Sequence, residues 1–348
     1  MTALRLSFLL FAASLSSACS AAGGHGRGHA CGKVSARRAA VAPKRPPTTR
    51  VRLWKITYRA HDGARRAAYV ELPLRYGPGH NPPLPLVISP HARGVGGLAN
   101  AALWRAFPTL GGFALVSPDG EGDRLKLDSW GAPGQIADLA RMPQIVRKAL
   151  PWLRINPRRV YAFGDSMGGQ ETLLLAARYP HLLAGAAAFD ATTDLARQYR
   201  ALDTRPTHGC ARAERIGDAI VAAVQRELGG TPARDPDAYA ARSPLTYARR
   251  LAFSRFPIQL WWGRADRLVE PAQQSAKLLR RIHRLNGSAA VEGFIGPWAH
   301  AASLRFRLRV ALSQFSLAPR LSGGRYRRIG TLSLRKRRVQ SVSSNRGA

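Results

Sequence analysis

Apolar and polar positions start to alternate at Val51. Val51–Tyr58 alternates, His61-Asp62-Gly63-Ala64 carries turn residues, and Ala67–Leu72 runs apolar again, which predicts a β-hairpin. Tyr76–Pro83 is a loop rich in Pro and Gly. Beyond it the pattern changes to short continuous apolar runs at Leu84–Ser89, Phe113–Ser117, Arg159–Phe163, Ala184–Phe189, Ile258–Trp262 and Ala290–Ile295. Runs of that length read as strands buried on both faces. Segments of helical period lie between them, at Ile136–Leu153, Gln170–Tyr179 and Ala272–Leu285. Alternating strands and helices predict an α/β fold, with a mostly parallel twisted sheet and helices on both faces.

Residues 191–250 interrupt this rhythm. They hold helical stretches at Ala211–Leu228 and Pro236–Arg250 and no clear strand. An insertion at that point predicts a helical cap above the C-terminal edge of the sheet, where it would shape a substrate pocket and exclude water. Ile329–Leu334 could add one more strand.

The chain ends read differently. Arg5 precedes the apolar run Leu6–Leu15, and small residues follow from Ser16 to Ala22, so residues 1–22 read as a signal peptide and the protein as secreted or held in the cell envelope. Cys19 offers lipoprotein attachment as the less favoured alternative, because no large aliphatic residue stands three positions ahead of it. Residues 23–49, rich in Ala, Gly, His, Pro and Arg without period, read as a disordered linker, 50–317 as one α/β domain, and 318–348 as a basic, disordered tail. Cys31 and Cys210 could pair in an oxidising compartment or stay free thiols.

Of the 348 residues 45% are apolar, enough for a sizeable core, and no stretch after the N-terminus is long and apolar enough to span a bilayer. The net charge of +34 is spread along the chain, although Arg325, Arg327, Arg328, Arg335, Lys336, Arg337 and Arg338 crowd the tail. The surplus predicts non-specific contact with an anionic polymer or membrane surface. It does not predict a specific nucleic-acid partner, since no binding module is present. No Cys/His spacing fits a metal site, and no cofactor is expected.

The chemistry centres on Gly164-Asp165-Ser166-Met167-Gly168, which reads G-x-S-x-G between a strand and a helix. A sharp strand-to-helix turn exposes the serine hydroxyl and needs flanking residues without a bulky Cβ. A serine nucleophile needs a base, and the base an orienting carboxylate, in the chain order Ser, acid, His on this type of sheet. Asp266 follows the Trp261-Trp262-Gly263 strand end, and His300 follows the next strand end through Gly296-Pro297-Trp298-Ala299. Asp190, one strand earlier, is the rival acid. An oxyanion needs two donors. One is the Met167 N–H, and the other comes from the loop Pro90-His91-Ala92-Arg93-Gly94-Val95-Gly96-Gly97, from Ala92 or Arg93. Asp119, in Ser117-Pro118-Asp119-Gly120, reads as a pocket wall.

Three stretches carry a family resemblance. Ile155-Asn156-Pro157-Arg158-Arg159-Val160-Tyr161-Ala162-Phe163 leads into Gly164-Asp165-Ser166-Met167-Gly168-Gly169, with Ala177-Arg178-Tyr179-Pro180 beyond; Ser243-Pro244-Leu245-Thr246-Tyr247-Ala248 precedes the acid-bearing strand; and Gly263-x-x-Asp266-x-x-Val269-x-Pro271 is followed by His300. From about Pro83 to Leu312 the chain resembles the α/β-hydrolase superfamily, and within it the prolyl oligopeptidase catalytic domain. The resemblance implies an α/β-hydrolase fold, with Ser166, Asp266 and His300 as nucleophile, acid and base. Two features depart from it: residues 21–83 are too short for a β-propeller, and Gly296-Pro297-Trp298-Ala299 replaces a Gly-rich approach to the histidine. The expectation is an exported serine hydrolase acting on a small ester or peptide substrate. The alternatives are a feruloyl-esterase-like or polyester-depolymerase-like carboxylesterase, and a non-catalytic anion- or cell-wall-binding protein on the same fold.

Overall fold

The computed structural model describes residues 51–120, 124, 128–204, 211–319 and 327–329. The signal peptide, the linker, all three cysteines and nearly all of the basic tail lie outside the described residues.

Among the described residues nine strands form one sheet in the order β1-β2-β4-β3-β5-β6-β7-β8-β9. The hairpin β1 (Arg52–Arg59) and β2 (Arg65–Leu72) is antiparallel, and β2 runs antiparallel to β4 (Ala114–Pro118). The parallel body comprises β4, β3 (Leu84–Ile88), β5 (Ile155–Asp165), β6 (Gly185–Phe189), β7 (Ile258–Gly263) and β8 (Val291–Gly296). A short β9 (Arg327–Ile329) pairs antiparallel with β8. From β3 the chain moves outward to β4 and then returns to β5 on the other side of β3, so the strand order reverses between β3 and β5. In an open α/β sheet the strand carboxyl ends at such a reversal leave a crevice.

The pleat sorts the core into two layers, because successive side chains point to opposite faces. Leu86, Ile88, Val116, Ala162, Ala188 and Leu260 face one way, against α3 (Pro133–Ala149), α4 (Met167–Arg178), α8 (Ala248–Ala252) and α9 (Ser275–Leu285). Val87, Leu115, Phe163, Phe189, Trp261 and Phe294 face the other way, against α1 (Gly97–Trp104) and α10 (Ala302–Gln314). On that face Trp261 stacks on Phe294 at 4.1 Å and on Phe189 at 5.8 Å between ring centroids, and its indole N–H donates to Gln259 Oε1 at 2.8 Å. A buried indole needs that acceptor.

A third cluster covers the end of the sheet. Leu195, Tyr199 and Leu202 of α5 (Leu195–Asp203), Ile220, Val224 and Leu228 of α6 (Ala211–Leu228), and Tyr239 of α7 (Pro236–Ala241) pack with Trp130 and Met167. The inserted helices therefore rest on the first residue of α4.

Several boundaries differ from expectation. The helix expected at Ile136–Leu153 is displaced toward the N-terminus, starting at Pro133, whose missing N–H costs nothing in a first turn. The single helix expected at Pro236–Arg250 is broken into α7, a 3-10 turn at Pro244–Tyr247 and α8, because Pro244 cannot donate to a continuing ladder. A short strand is seen at Arg327–Ile329, and of the extra strand expected at Ile329–Leu334 all but Ile329 lies outside the described residues. Four helices were not foreseen: α1, α2 (Phe107–Gly111), α5 and α10.

Candidate active site

Ser166 sits between the last residue of β5 and the first of α4, with φ +54°. A side chain at positive φ is strained, and the surroundings hold it there. Its N–H donates to the Phe189 carbonyl at 2.8 Å, and its own carbonyl accepts the Gln170 N–H at 3.0 Å, opening α4. The turn has no room for side chains beside it. A Cβ on Gly164 would run into the Gly168 carbonyl, and one on Gly168 into the Pro90 carbonyl. The second collision shows how closely the loop after β3 lies against the start of α4.

The structure brings Ser166, His300 and Asp266 together, although they come from three different loops. His300 Nε2 lies 3.0 Å from Ser166 Oγ, and His300 Nδ1 lies 2.8 Å from Asp266 Oδ2. The other oxygen of Asp266 accepts the Leu268 and Val269 N–H groups at 2.9 and 2.8 Å. Asp266 is buried and the His300 side chain is one-tenth exposed, so the ring alone of this pair meets the outside. Burial disfavours a charged ring, but the charge and hydrogen bond of Asp266 outweigh it and hold His300 above the ordinary 6.5.

The rival acid has a different place. Asp190 Oδ1 accepts the Gly263 N–H at 3.2 Å, and its Oδ2 is hydrogen-bonded to Ser303 Oγ at 2.5 Å. Burial, reinforced by the neighbouring charge of Asp165, pushes Asp190 up to about 8. Asp119 Oδ1 accepts the Gly97 N–H at 2.6 Å, at the start of α1.

The loop after β3 is ordered by a side chain whose part the sequence did not reveal. Gly120 N–H donates to His91 Nε2 at 2.9 Å, which leaves Nδ1 as the protonated nitrogen, and Nδ1–H donates to the Ala92 carbonyl at 2.9 Å. Burial pushes this ring below its ordinary value, toward the neutral form that both bonds require. The Ala92 carbonyl also accepts the Val95 N–H at 3.1 Å, closing a turn that carries Ala92 and Arg93. Met167 is the first residue of α4, so its N–H has no acceptor within the helix. Gly168, in the first turn of α4, lies against the Pro90 and His91 carbonyls at the start of that loop. A histidine directly after a strand-ending proline was the available signal for His91; its burial was not readable.

Neither family models nor curated proteins match the chain by sequence, so the likeness to known proteins is one of fold. The acylaminoacyl peptidase of Pyrococcus horikoshii superposes with a TM-score of 0.59 at 15% identity, over 79% of this chain and 43% of its own. The chain has the α/β-hydrolase fold. This α/β-hydrolase fold is also similar to a puromycin-hydrolyzing peptidase of Mycobacterium tuberculosis, with a TM-score of 0.58 at 18% identity over 79% of this chain and 40% of that one. An S-formylglutathione hydrolase of Staphylococcus aureus matches at 0.54 and 15% identity, over 77% of this chain and 99% of its own. The chain thus spans less than half of the two peptidases and nearly the whole of the third enzyme.

Proposed function

We propose that the protein is an exported serine hydrolase that cleaves a carboxylic ester or a peptide or amide bond through an acyl-enzyme on Ser166. The observation that carries the reading is the unbroken relay from Asp266 Oδ2 to His300 Nδ1 and from His300 Nε2 to Ser166 Oγ, at 2.8 and 3.0 Å. His300 takes the Ser166 proton as Oγ attacks the substrate carbonyl, and Asp266 holds the ring in the tautomer that leaves Nε2 free to accept it. The tetrahedral oxyanion forms beside the Met167 N–H, at the positive end of α4, and beside an N–H of Ala92 or Arg93. His300 then gives its proton to the leaving group, and water attacks the acyl-enzyme with His300 again as base.

Ester oxygen and amide nitrogen leaving groups pass through the same steps. Single-turnover labelling with a fluorophosphonate probe tests the nucleophile: the wild type takes the label at Ser166 and S166A takes none. An unlabelled wild type would remove the proposal. Steady-state rates on p-nitrophenyl esters of graded chain length and on peptide nitroanilides then assign the leaving group. The export part of the proposal rests on Arg5, the Leu6–Leu15 run and the small residues after it, and a mature N-terminus beginning at or before Leu15 would refute it. The positive surplus further supports weak contact with anionic polymers, seen as retention that fades with salt.

A further inference from the structure

We propose that Asp190 is a positioning residue that fastens the strand end leading to Asp266 onto the helix behind His300, through the Gly263 N–H and the Ser303 hydroxyl. The inference rests on the hydrolase reading above and assigns Asp190 a part in it other than the acid.

Three observations support the assignment. First, Asp190 lies at the meeting point of all three loops. The carbonyl of Phe189 holds the Ser166 N–H, while the side chain of the next residue, Asp190, holds Gly263 at the end of β7 and Ser303 in the first turn of α10. One dipeptide thus touches the nucleophile turn, the acid strand and the base helix. Second, Asp190 and Ser303 are both fully buried, so each supplies the partner that the other needs in the absence of water. Third, Asp190 adopts φ +45°, a strained backbone for a residue with a side chain, and its N–H is pinned to the Trp261 carbonyl at 2.8 Å. The strain aims the carboxyl across the sheet end.

The protonation of Asp190 fits this part. A carboxyl kept neutral by burial cannot balance an imidazolium, but it can hold one N–H at one oxygen and one hydroxyl at the other. An amide has the same shape: its oxygen accepts from Gly263, and its N–H meets Ser303 Oγ once that hydroxyl, which donates to Asp190 Oδ2, turns to accept. Asparagine is therefore the conservative replacement, and alanine the disruptive one.

The test uses the full chain as wild type, D190N, D190A and S303A. It measures kcat and KM on a p-nitrophenyl ester, the rate of fluorophosphonate labelling at Ser166, and the thermal midpoint. A loosened base helix costs rate at the chemical step, where a misplacement of about 1 Å is worth on the order of a hundredfold. D190A is expected to lose at least roughly tenfold in kcat and in labelling rate with KM within about twofold, S303A to lose several-fold, and D190N to stay within about threefold of the wild type. A structural role alone would lower the midpoint and leave kcat of the folded protein intact. If D190A does not fold, S303A decides, because it deletes a single oxygen. Wild-type kcat in a folded D190A, wild-type kcat in S303A, or a D190N as impaired as D190A overturns the inference. A wild type that takes no label at Ser166 instead overturns the hydrolase reading itself, and this inference with it.

Discussion

The Ala265 N–H donates to the Trp298 carbonyl at 2.9 Å, which fastens the residue before Asp266 to the stretch just ahead of His300. Arg264 N–H reaches the Gly296 carbonyl at 2.8 Å on the same path. A Cβ at Gly263 would collide with that Trp298 carbonyl. G263A should therefore push the acid and base loops apart. The expected result is a fall in kcat of roughly ten- to a hundredfold with KM little changed, measured on an ester substrate.

Asp266 fixes the tautomer of His300 and favours its charged form. D266N keeps the shape, reverses the hydrogen-bond sense at Nδ1, and should lower kcat by about 10⁴. The pH dependence supplies a second check. On the proposed mechanism His300 acts as neutral imidazole, so kcat/KM of the wild type should rise with pH along a limb centred above 6.5, because His300 is held above that value. Removing the carboxylate charge takes away support for the imidazolium, so the limb of D266N should lie at lower pH than that of the wild type.

Glu171, on α4, is fully buried; Ser129 Oγ donates to its Oε1, and burial pushes it up to about 7. In the folded state it keeps its proton at pH values where the unfolded chain, near 4.5, has released it. The contribution of the protonated form is therefore complete below about 4.5 and is lost as pH rises through 7. E171Q should gain stability relative to the wild type across that window, by a few kcal/mol in the limit of full burial. Urea unfolding of both proteins at pH 4.5, 6 and 7.5 measures it.

Trp261 is fully buried between Phe189 and Phe294. W261A removes the middle ring of that stack and leaves a cavity under the strand that ends beside the acid loop. The expected cost is about 3–5 kcal/mol, read as a lower urea midpoint with an unchanged m-value.

The parts of this molecule that could be read from its residues are those where local sterics leave little choice. The Ser166 turn was legible because backbone approaches of this kind admit only glycine at positions 164 and 168. The parallel strands were legible because burial on both faces demands unbroken apolar runs. The unforeseen helices show the limit. The start of α1 is held by Asp119, more than twenty residues away, so no local cap announces it. In α10 the stripe of Leu304, Leu308, Ala311 and Leu312 is interleaved with Arg305, Arg307 and Arg309, which mask its period. The first residues of α5 do carry a signal, since Asp194 accepts the Arg197 N–H at 3.0 Å in an ordinary N-cap. Asp190 and Asp266 both follow strands, and only the path of the His300 loop separates them.

The short strand at Arg327–Ile329 has a consequence for any truncation study. It lies along the outer side of β8, whose Gly293, Phe294 and Ile295 it covers by antiparallel pairing. A protein shortened at residue 319 to strip away its cationic end would bare a row of peptide groups next to the strand that leads to the histidine, and bare rims of that kind recruit neighbouring molecules. Clumping of such a shortened form would then report a lost border and not a lost charge. Cutting after residue 331 removes Arg335, Lys336, Arg337, Arg338 and Arg346 while leaving that border closed.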